Sequence, residues 1–217
     1  MRNRLRTSPA VVGLRNRLAR WRYRGASHDE IFDDEYFQFV EWTSAASAEV
    51  MADSIVTLFA PRSAWDVGCG TGALLNALRS RGVVGQGLEY AKAGLLACQA
   101  RGLNVQQFDL VTDTLDSPTP ADVAISLEVG AQLPASAADR YVDLLCTLGQ
   151  TGIVFSSETP GGGDRVSRNE QPHAYWIEKF AARGFVLLDA ETRACRVHWR
   201  EQSVADWFCR NLLLFKR

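Results

Sequence analysis

The sequence predicts an α/β fold in which a mostly parallel sheet is covered by helices on both faces. Three observations predict it. Strand-like and helix-like patterns alternate from Ser63 to Ser156 at lengths that suit βαβ crossovers. A glycine-rich turn, Gly68-Cys69-Gly70-Thr71-Gly72, stands where the first strand pattern meets the first helix pattern. Acids fall at the ends of three successive strand patterns, Asp66, Glu89 and Asp109, where an open parallel sheet presents its ligand edge.

The elements follow in order. From Asp29 to Phe59 the chain reads as a helix, with Met51, Ile55, Leu58 and Phe59 on one face at i, i+4, i+7 and i+8, and Pro61 ends it. Ser63 to Gly68 is the first strand and Thr71 to Arg81 a helix. Val83 to Glu89 is the second strand, Ala91 to Arg101 a helix, and Leu103 to Phe108 the third strand. A loop rich in Pro, Ser, Thr and Asp leads to a fourth strand, Ala121 to Leu127. Ala138, Tyr141, Val142, Leu145 and Leu148 mark an amphipathic helix before a fifth strand, Gly152 to Ser156. Thr159 to Asp164, with three consecutive glycines, is an irregular loop, and Gln171 to Gly184 a helix that offers Trp176 and Phe180 to the core, with Phe185 just past it. Phe185 to Ala190 and Leu212 to Lys216 read as strands, with a short helical stretch around Ser203 to Phe208 between them.

Composition bounds the function. The 217 residues are 47% hydrophobic and 23% charged, the balance of an ordinary globular chain, which excludes a disordered protein and a disulfide miniprotein. No run of 18 apolar residues occurs, so no transmembrane helix is expected. Five scattered cysteines without framework or zinc spacing point to a reducing, cytoplasmic compartment; four read as small buried apolar residues, and Cys69 as a small residue that the turn requires. No acid and histidine set has metal-site spacing, so no required metal is expected. The net charge of −1 hides an asymmetry: residues 1–25 carry eight arginines and no acid, leaving the rest with a formal charge of −9. Residues 1–27 therefore read as a basic arm, disordered or helical between about Val11 and Tyr23, and residues 28–217 as one domain. The arm allows contact with a membrane surface. An acidic body would repel nucleic acid. The 21 arginines against 3 lysines resemble the usage of a GC-rich bacterial genome.

Gly68, Gly70 and Gly72 let the backbone turn tightly and approach a ligand closely, since no Cβ stands in the way. Glu89 lies 23 residues after Asp66, the spacing of a carboxylate that accepts hydrogen bonds from ribose hydroxyls, and Asp109 follows 20 residues later. Each acid alone reads as a solvated loop residue; the three in register with the glycine turn read as a nucleotide-binding edge.

These residues resemble the class I S-adenosylmethionine (SAM) dependent methyltransferases, in particular a bacterial group acting on small molecules and sugars. Asp66-Val67-Gly68-Cys69-Gly70-Thr71-Gly72 is similar to the family's first motif, Glu89-Tyr90 to its ribose-binding acid and adjoining residue, and Phe108-Asp109-Leu110 to its adenine-contacting segment. Ala121 to Val129, which includes Leu127 and Glu128, is similar to the fourth motif. The resemblance implies a three-layer α/β sandwich with a seven-stranded sheet in the order 3-2-1-4-5-7-6, strand 7 antiparallel. It implies SAM as cofactor, S-adenosylhomocysteine as product, and Asp66, Gly68, Cys69, Gly70, Thr71, Gly72, Glu89, Tyr90, Asp109, Leu110, Leu127 and Glu128 as the cofactor site. Asp33-Asp34-Glu35-Tyr36-Phe37 resembles a segment whose aromatic residue closes over the cofactor, which adds Tyr36 and Phe37.

The acceptor side is expected from the N-terminal helix and from residues 158–176. Gln171-Pro172-His173-Ala174-Tyr175-Trp176 resembles a stretch of the sugar and secondary-metabolite group, which makes Tyr175 and Trp176 candidate pocket residues and His173 the candidate base. Tyr175 and Trp176 read as core or pocket wall rather than catalytic groups, and His173 reads equally as a helix-start histidine exposed to water. Where relatives carry a histidine after the fourth strand this chain has Gln132, a candidate substrate contact that cannot act as a base. The expected reaction is methyl transfer from SAM to an oxygen, secondarily a nitrogen, of a small molecule or saccharide. The alternatives are a SAM-binding scaffold or sensor without catalysis, a nucleic-acid methyltransferase using the arm, and an NAD-dependent oxidoreductase, against which the G-x-G-x-G spacing argues.

Overall fold

The computed structural model describes residues 34–161 and 167–217. The basic arm and the boundary at residue 28 lie outside the described residues. Helix α1 spans Asp34–Phe59, then β1 Ser63–Val67, α2 Ala73–Arg79, β2 Val84–Glu89, α3 Lys92–Ala100, β3 Val105–Gln107 and β4 Ala121–Leu127. Two 3-10 turns, Gly130–Gln132 and Ala135–Ala137, lead into α4 Ala138–Leu148 and β5 Gly149–Ser156. Then come α5 His173–Ala181, β6 Val186–Leu187, α6 Asp189–Glu201, α7 Asp206–Asn211 and β7 Leu212–Lys216. The strands form one seven-stranded sheet in the order β3-β2-β1-β4-β5-β7-β6. β7 runs antiparallel to β5 and to β6, while the pairs from β3 to β5 are parallel.

Alternation along the strands builds two apolar layers, because successive side chains of a strand point to opposite faces. Phe155, Leu213 and Phe215 pack with Tyr141, Trp176 and Phe180 on one face. Val154, Leu212 and Leu214 pack with Met51, Ile55 and Trp199 on the other. Strands buried on both faces are apolar nearly throughout, as in Ala121 to Leu127. Four cysteines are buried and Cys69 is half-buried, all five as free thiols. Among the described residues no helix is long and apolar enough to cross a membrane.

Three expectations are corrected. The strand expected from Phe185 to Ala190 is only Val186–Leu187, and Asp189–Glu201 is a 13-residue helix that the sequence reading missed. Its polar composition hides its apolar face: Thr192, Cys195 and Trp199 are buried at i, i+3 and i+7, while acids in the first turn and His198 and Arg200 in the last complement the helix dipole. The helical stretch after it runs from Asp206 to Asn211, later than the range around Ser203 to Phe208. Leu58 stands 39% exposed off the buried face of α1; Phe59 turns in, and a Cβ at Gly152 would lie 2.5 Å from its Cε1.

Candidate functional site

β1 delivers the glycine turn to the carboxyl edge of the sheet. Gly68, Gly70 and Gly72 all take positive φ, +74°, +56° and +74°, a conformation that costs any residue with a Cβ about 1–2 kcal/mol. The turn is tied down by the N–H groups of Gly68 and Cys69, which donate to Leu88 O at 2.8 and 3.1 Å. Glu89, at the end of β2, accepts from Gly70 N at 2.8 Å through Oε2 and from Ala91 N at 2.7 Å through Oε1. One carboxylate thus joins the turn to the start of α3. Burial raises its pKa above the ordinary carboxylate value, and the backbone N–H groups of Ala91, Gly70 and Tyr90 oppose that rise. Asp66, 4% exposed, is pushed up to about 7 by burial and by the charge of Glu89.

Phe37 of α1 closes this edge. A Cβ at Gly70 would stand 3.6 Å from its ring and one at Gly94 only 3.1 Å. Tyr36 meets Phe37 edge-on at 5.3 Å. Tyr90 is half-buried beside Glu89. Asp109 Oδ1 accepts from Val111 N, and Asp109 N donates to Asp113 Oδ2, both at 2.8 Å, which turns the chain sharply after β3 around Leu110. Two residues that sequence reasoning missed hold α1 to the turn. Thr71 Oγ1 donates to Glu41 Oε2 at 2.6 Å, and Arg101 donates to Glu41 Oε1 at 2.5 Å and to Thr71 O at 3.2 Å. A cavity of about 500 Å³ lies here, lined by Phe37, Gln38, Glu41, Thr71 and Arg101 among others. No local pattern marks Glu41, since its partners lie 30 and 60 residues away.

β4 and β5 carry the second half of the edge. Leu127 ends β4, and Glu128 follows it with φ +62° while its N–H donates to Ser156 O and Oγ at 2.9 and 3.1 Å. Asn211 Nδ2 donates to both Glu128 oxygens and to Glu158 Oε1, at 3.1, 3.2 and 3.3 Å. Glu158 and Asn211 were also missed. Glu158 lies just past a strand end as Glu128 does, so the rule that singled out the other acids would have found it.

Gln132 sits half-buried in the 3-10 turn, its N–H donating to Val129 O. His173 opens α5, with Nδ1 3.5 Å from the Arg196 guanidinium and Nε2 buried without a partner. Burial and the Arg196 charge lower its pKa. Trp176 is wholly buried, 5.1 Å from Phe155 and 6.2 Å from Tyr141 between ring centroids, so its ring is part of the core. Tyr175 is half-buried against it, with Lys179 Nζ 4.8 Å from its ring. The structure therefore gathers Asp66, the glycine turn, Glu89 and Phe37 into one group, and places Glu128, Gln132 and His173 on the β4–β5–β7 side. Among the described residues no group of three or more His, Cys, Asp or Glu could hold a metal ion.

Comparison with known proteins agrees with this architecture. The family model for the methionine biosynthesis protein MetW matches residues 52–131. No curated protein matches the sequence. Among solved structures the chain is similar to SAM-bound CalS10, an amino pentose methyltransferase from Micromonospora echinaspora, at 18% identity and a TM-score of 0.58 over 91% of this chain and 94% of that one. It is similar to magnesium protoporphyrin IX methyltransferase from Synechocystis with bound SAM, at 17% identity and a TM-score of 0.58 over 82% and 84%. A SAM-dependent methyltransferase from Archaeoglobus fulgidus gives a TM-score of 0.61 at 14% identity over 84% and 99%. The chain has the class I, Rossmann-like methyltransferase fold.

Proposed function

We propose that this chain binds SAM and transfers its methyl group to a small molecule, with an oxygen of a hydroxylated metabolite or saccharide as the preferred acceptor and nitrogen as the second. The observation that carries the reading is the joining of the glycine turn to Glu89: a turn whose three positive-φ glycines carry no Cβ and a buried carboxylate meet at the carboxyl edge between β1 and β2. That cradle fits a nucleoside-bearing ligand. Glu89 would accept the ribose hydroxyls, the Asp109-Leu110 segment and Tyr90 would flank the adenine, and Asp66 with the turn would meet the amino acid end. Phe37 and Tyr36 would cover the ligand from α1. When bound, SAM supplies a methyl group already activated by its sulfonium, so the work left to the chain is alignment of an acceptor. The similar structures with bound SAM support the reading.

His173 is the proposed base for a hydroxyl acceptor. Its lowered pKa keeps the imidazole neutral at pH 7, the form a base needs. A base works deprotonated, so kcat/KM should hold its plateau to below pH 6.5, and His173→Gln should remove the acid limb. A limb centred above pH 6.5, or unmoved by the substitution, would count against His173.

The first test is calorimetric titration with SAM and with S-adenosylhomocysteine. Micromolar binding is expected, weakened at least tenfold by Glu89→Ala, which is about 1.4 kcal/mol. Failure of both ligands to bind would overturn the proposal.

A further inference from the structure

The glycine turn carries a thiol that the proposed reaction does not use. Cys69 stands half-buried between Gly68 and Gly70, its Sγ 3.9 Å from Sγ of Cys98 on α3. Cys98 is 1% exposed, and its thiol also donates to Gly70 O at 3.3 Å. Both are free thiols, and among the described residues no other two thiols are bonded to each other. The pair joins the turn to a helix position 29 residues away. The sulfurs of a disulfide stand about 2 Å apart, so rotation of the two side chains and a small movement of the turn close the gap.

The surroundings decide what closure does. α3 is already tight against the turn: a Cβ at Gly94 would stand 2.9 Å from Gly70 O, and one at Gly72 2.9 Å from Cys98 Sγ. A Cys98 sulfur bonded to Cys69 has no hydrogen left to donate to Gly70 O. Gly70 is also the residue whose N–H Glu89 holds at 2.8 Å, so the change reaches the centre of the proposed cradle.

We infer that Cys69 and Cys98 are a site of reversible oxidation, closed to a disulfide by a hydroperoxide, and that the disulfide re-sets the glycine turn. Cys69 is the more accessible sulfur and reacts first. An oxygen passes from the peroxide to Cys69, giving the sulfenic acid, and the rest of the peroxide leaves as alcohol or water. The Cys98 sulfur then attacks the Cys69 sulfur; the S–S bond forms, the S–O bond breaks, and hydroxide leaves with the Cys98 proton as water. Two electrons pass from the thiol pair to the peroxide, and a dithiol returns them. The hydrogen bond with Cys98, burial and the charges of Asp66 and Glu89 push the Cys69 thiol well above its ordinary value. The reactive thiolate is therefore scarce at neutral pH, and oxidation is slow there and faster in mild alkali. A weakening of SAM binding by the disulfide rests on the methyltransferase reading; the disulfide and the altered turn do not.

The test treats the full reduced chain with hydrogen peroxide in mild alkali, blocks the remaining thiols and maps tryptic peptides by mass spectrometry. Peptides 63–79 and 93–101, which hold Cys69 and Cys98, are expected joined, two hydrogens lighter than their sum, and separated again by a dithiol. Cys98→Ala should stop the reaction at the Cys69 sulfenic acid, trapped by a diketone probe. Amide NMR of the oxidised chain should show displaced Gly68 and Gly70 signals that the dithiol returns. Absence of the joined peptides, joining of Cys69 to other cysteines as readily, or unmoved Gly68 and Gly70 signals overturns the inference. SAM calorimetry on the reduced and oxidised samples separates the claims. Binding at least tenfold weaker after oxidation is expected, and equal affinity of the two forms overturns the bearing of the disulfide on the cofactor. A chain that joins and binds SAM in neither form keeps the disulfide and loses the methyltransferase reading; a chain that binds SAM and does not join loses the disulfide alone.

Discussion

At the residue scale the buried acids set the behaviour of the site. Asp66 has its pKa raised from 3.8 to about 7, chiefly by burial, so between those values the folded chain binds a proton that the unfolded chain has lost. Stability of the ligand-free protein should therefore fall as pH rises through this window and level off above about 7. Two units of that window, at about 1.4 kcal/mol each, give a loss on the order of 3 kcal/mol between pH 5 and 8. Urea unfolding of wild type and Asp66→Asn at both pH values isolates the effect; equal slopes in the two proteins would show that Asp66 does not carry it. The placing of Glu89 beside the glycine turn was legible in the sequence because it follows from strand-end position. Its bonds to Gly70 and Ala91 are made to backbone 19 and 2 residues away. Asn211 was not legible, since its partners lie 83 and 53 residues off and come to it only through the order of β4, β5 and β7.

At the element scale α6 is the informative miss. A strand over the same residues would put Val197 and Trp199 on one face, whereas the helix buries Trp199 completely and leaves Val197 52% exposed. Trp199 also donates from Nε1 to Ser54 Oγ at 2.9 Å, so it fastens α6 to α1. Trp199→Ala should cost about 3–5 kcal/mol and Val197→Ala less than about 0.5 kcal/mol in chemical denaturation. Similar losses at both positions would contradict the helix. Elements with strong patterns were read correctly. Ala121–Leu127 and Leu212–Lys216 have the bounds expected of them, being apolar runs closed by charged or turn residues.

At the scale of the whole molecule, the arm and the body can be tested apart. Residues 28–217 were read as the domain, and among the described residues Tyr36 and Phe37 pack at the start of α1. Deletion of residues 1–27 should leave the melting temperature and SAM affinity unchanged, while binding to anionic vesicles, if the arm supplies it, disappears. A drop in SAM affinity on deletion would move the boundary. The sequence by itself determined the sheet and the glycines and acids that meet at its carboxyl edge, because strand period, glycine conformation and strand-end acids are local properties of the chain. Only the tertiary structure decided which distant residues join that edge. Glu41 with Arg101, and Glu128 with Glu158 and Asn211, pair across 60, 83 and 53 residues, and such pairings arise from strand order and helix packing, which no local spacing encodes.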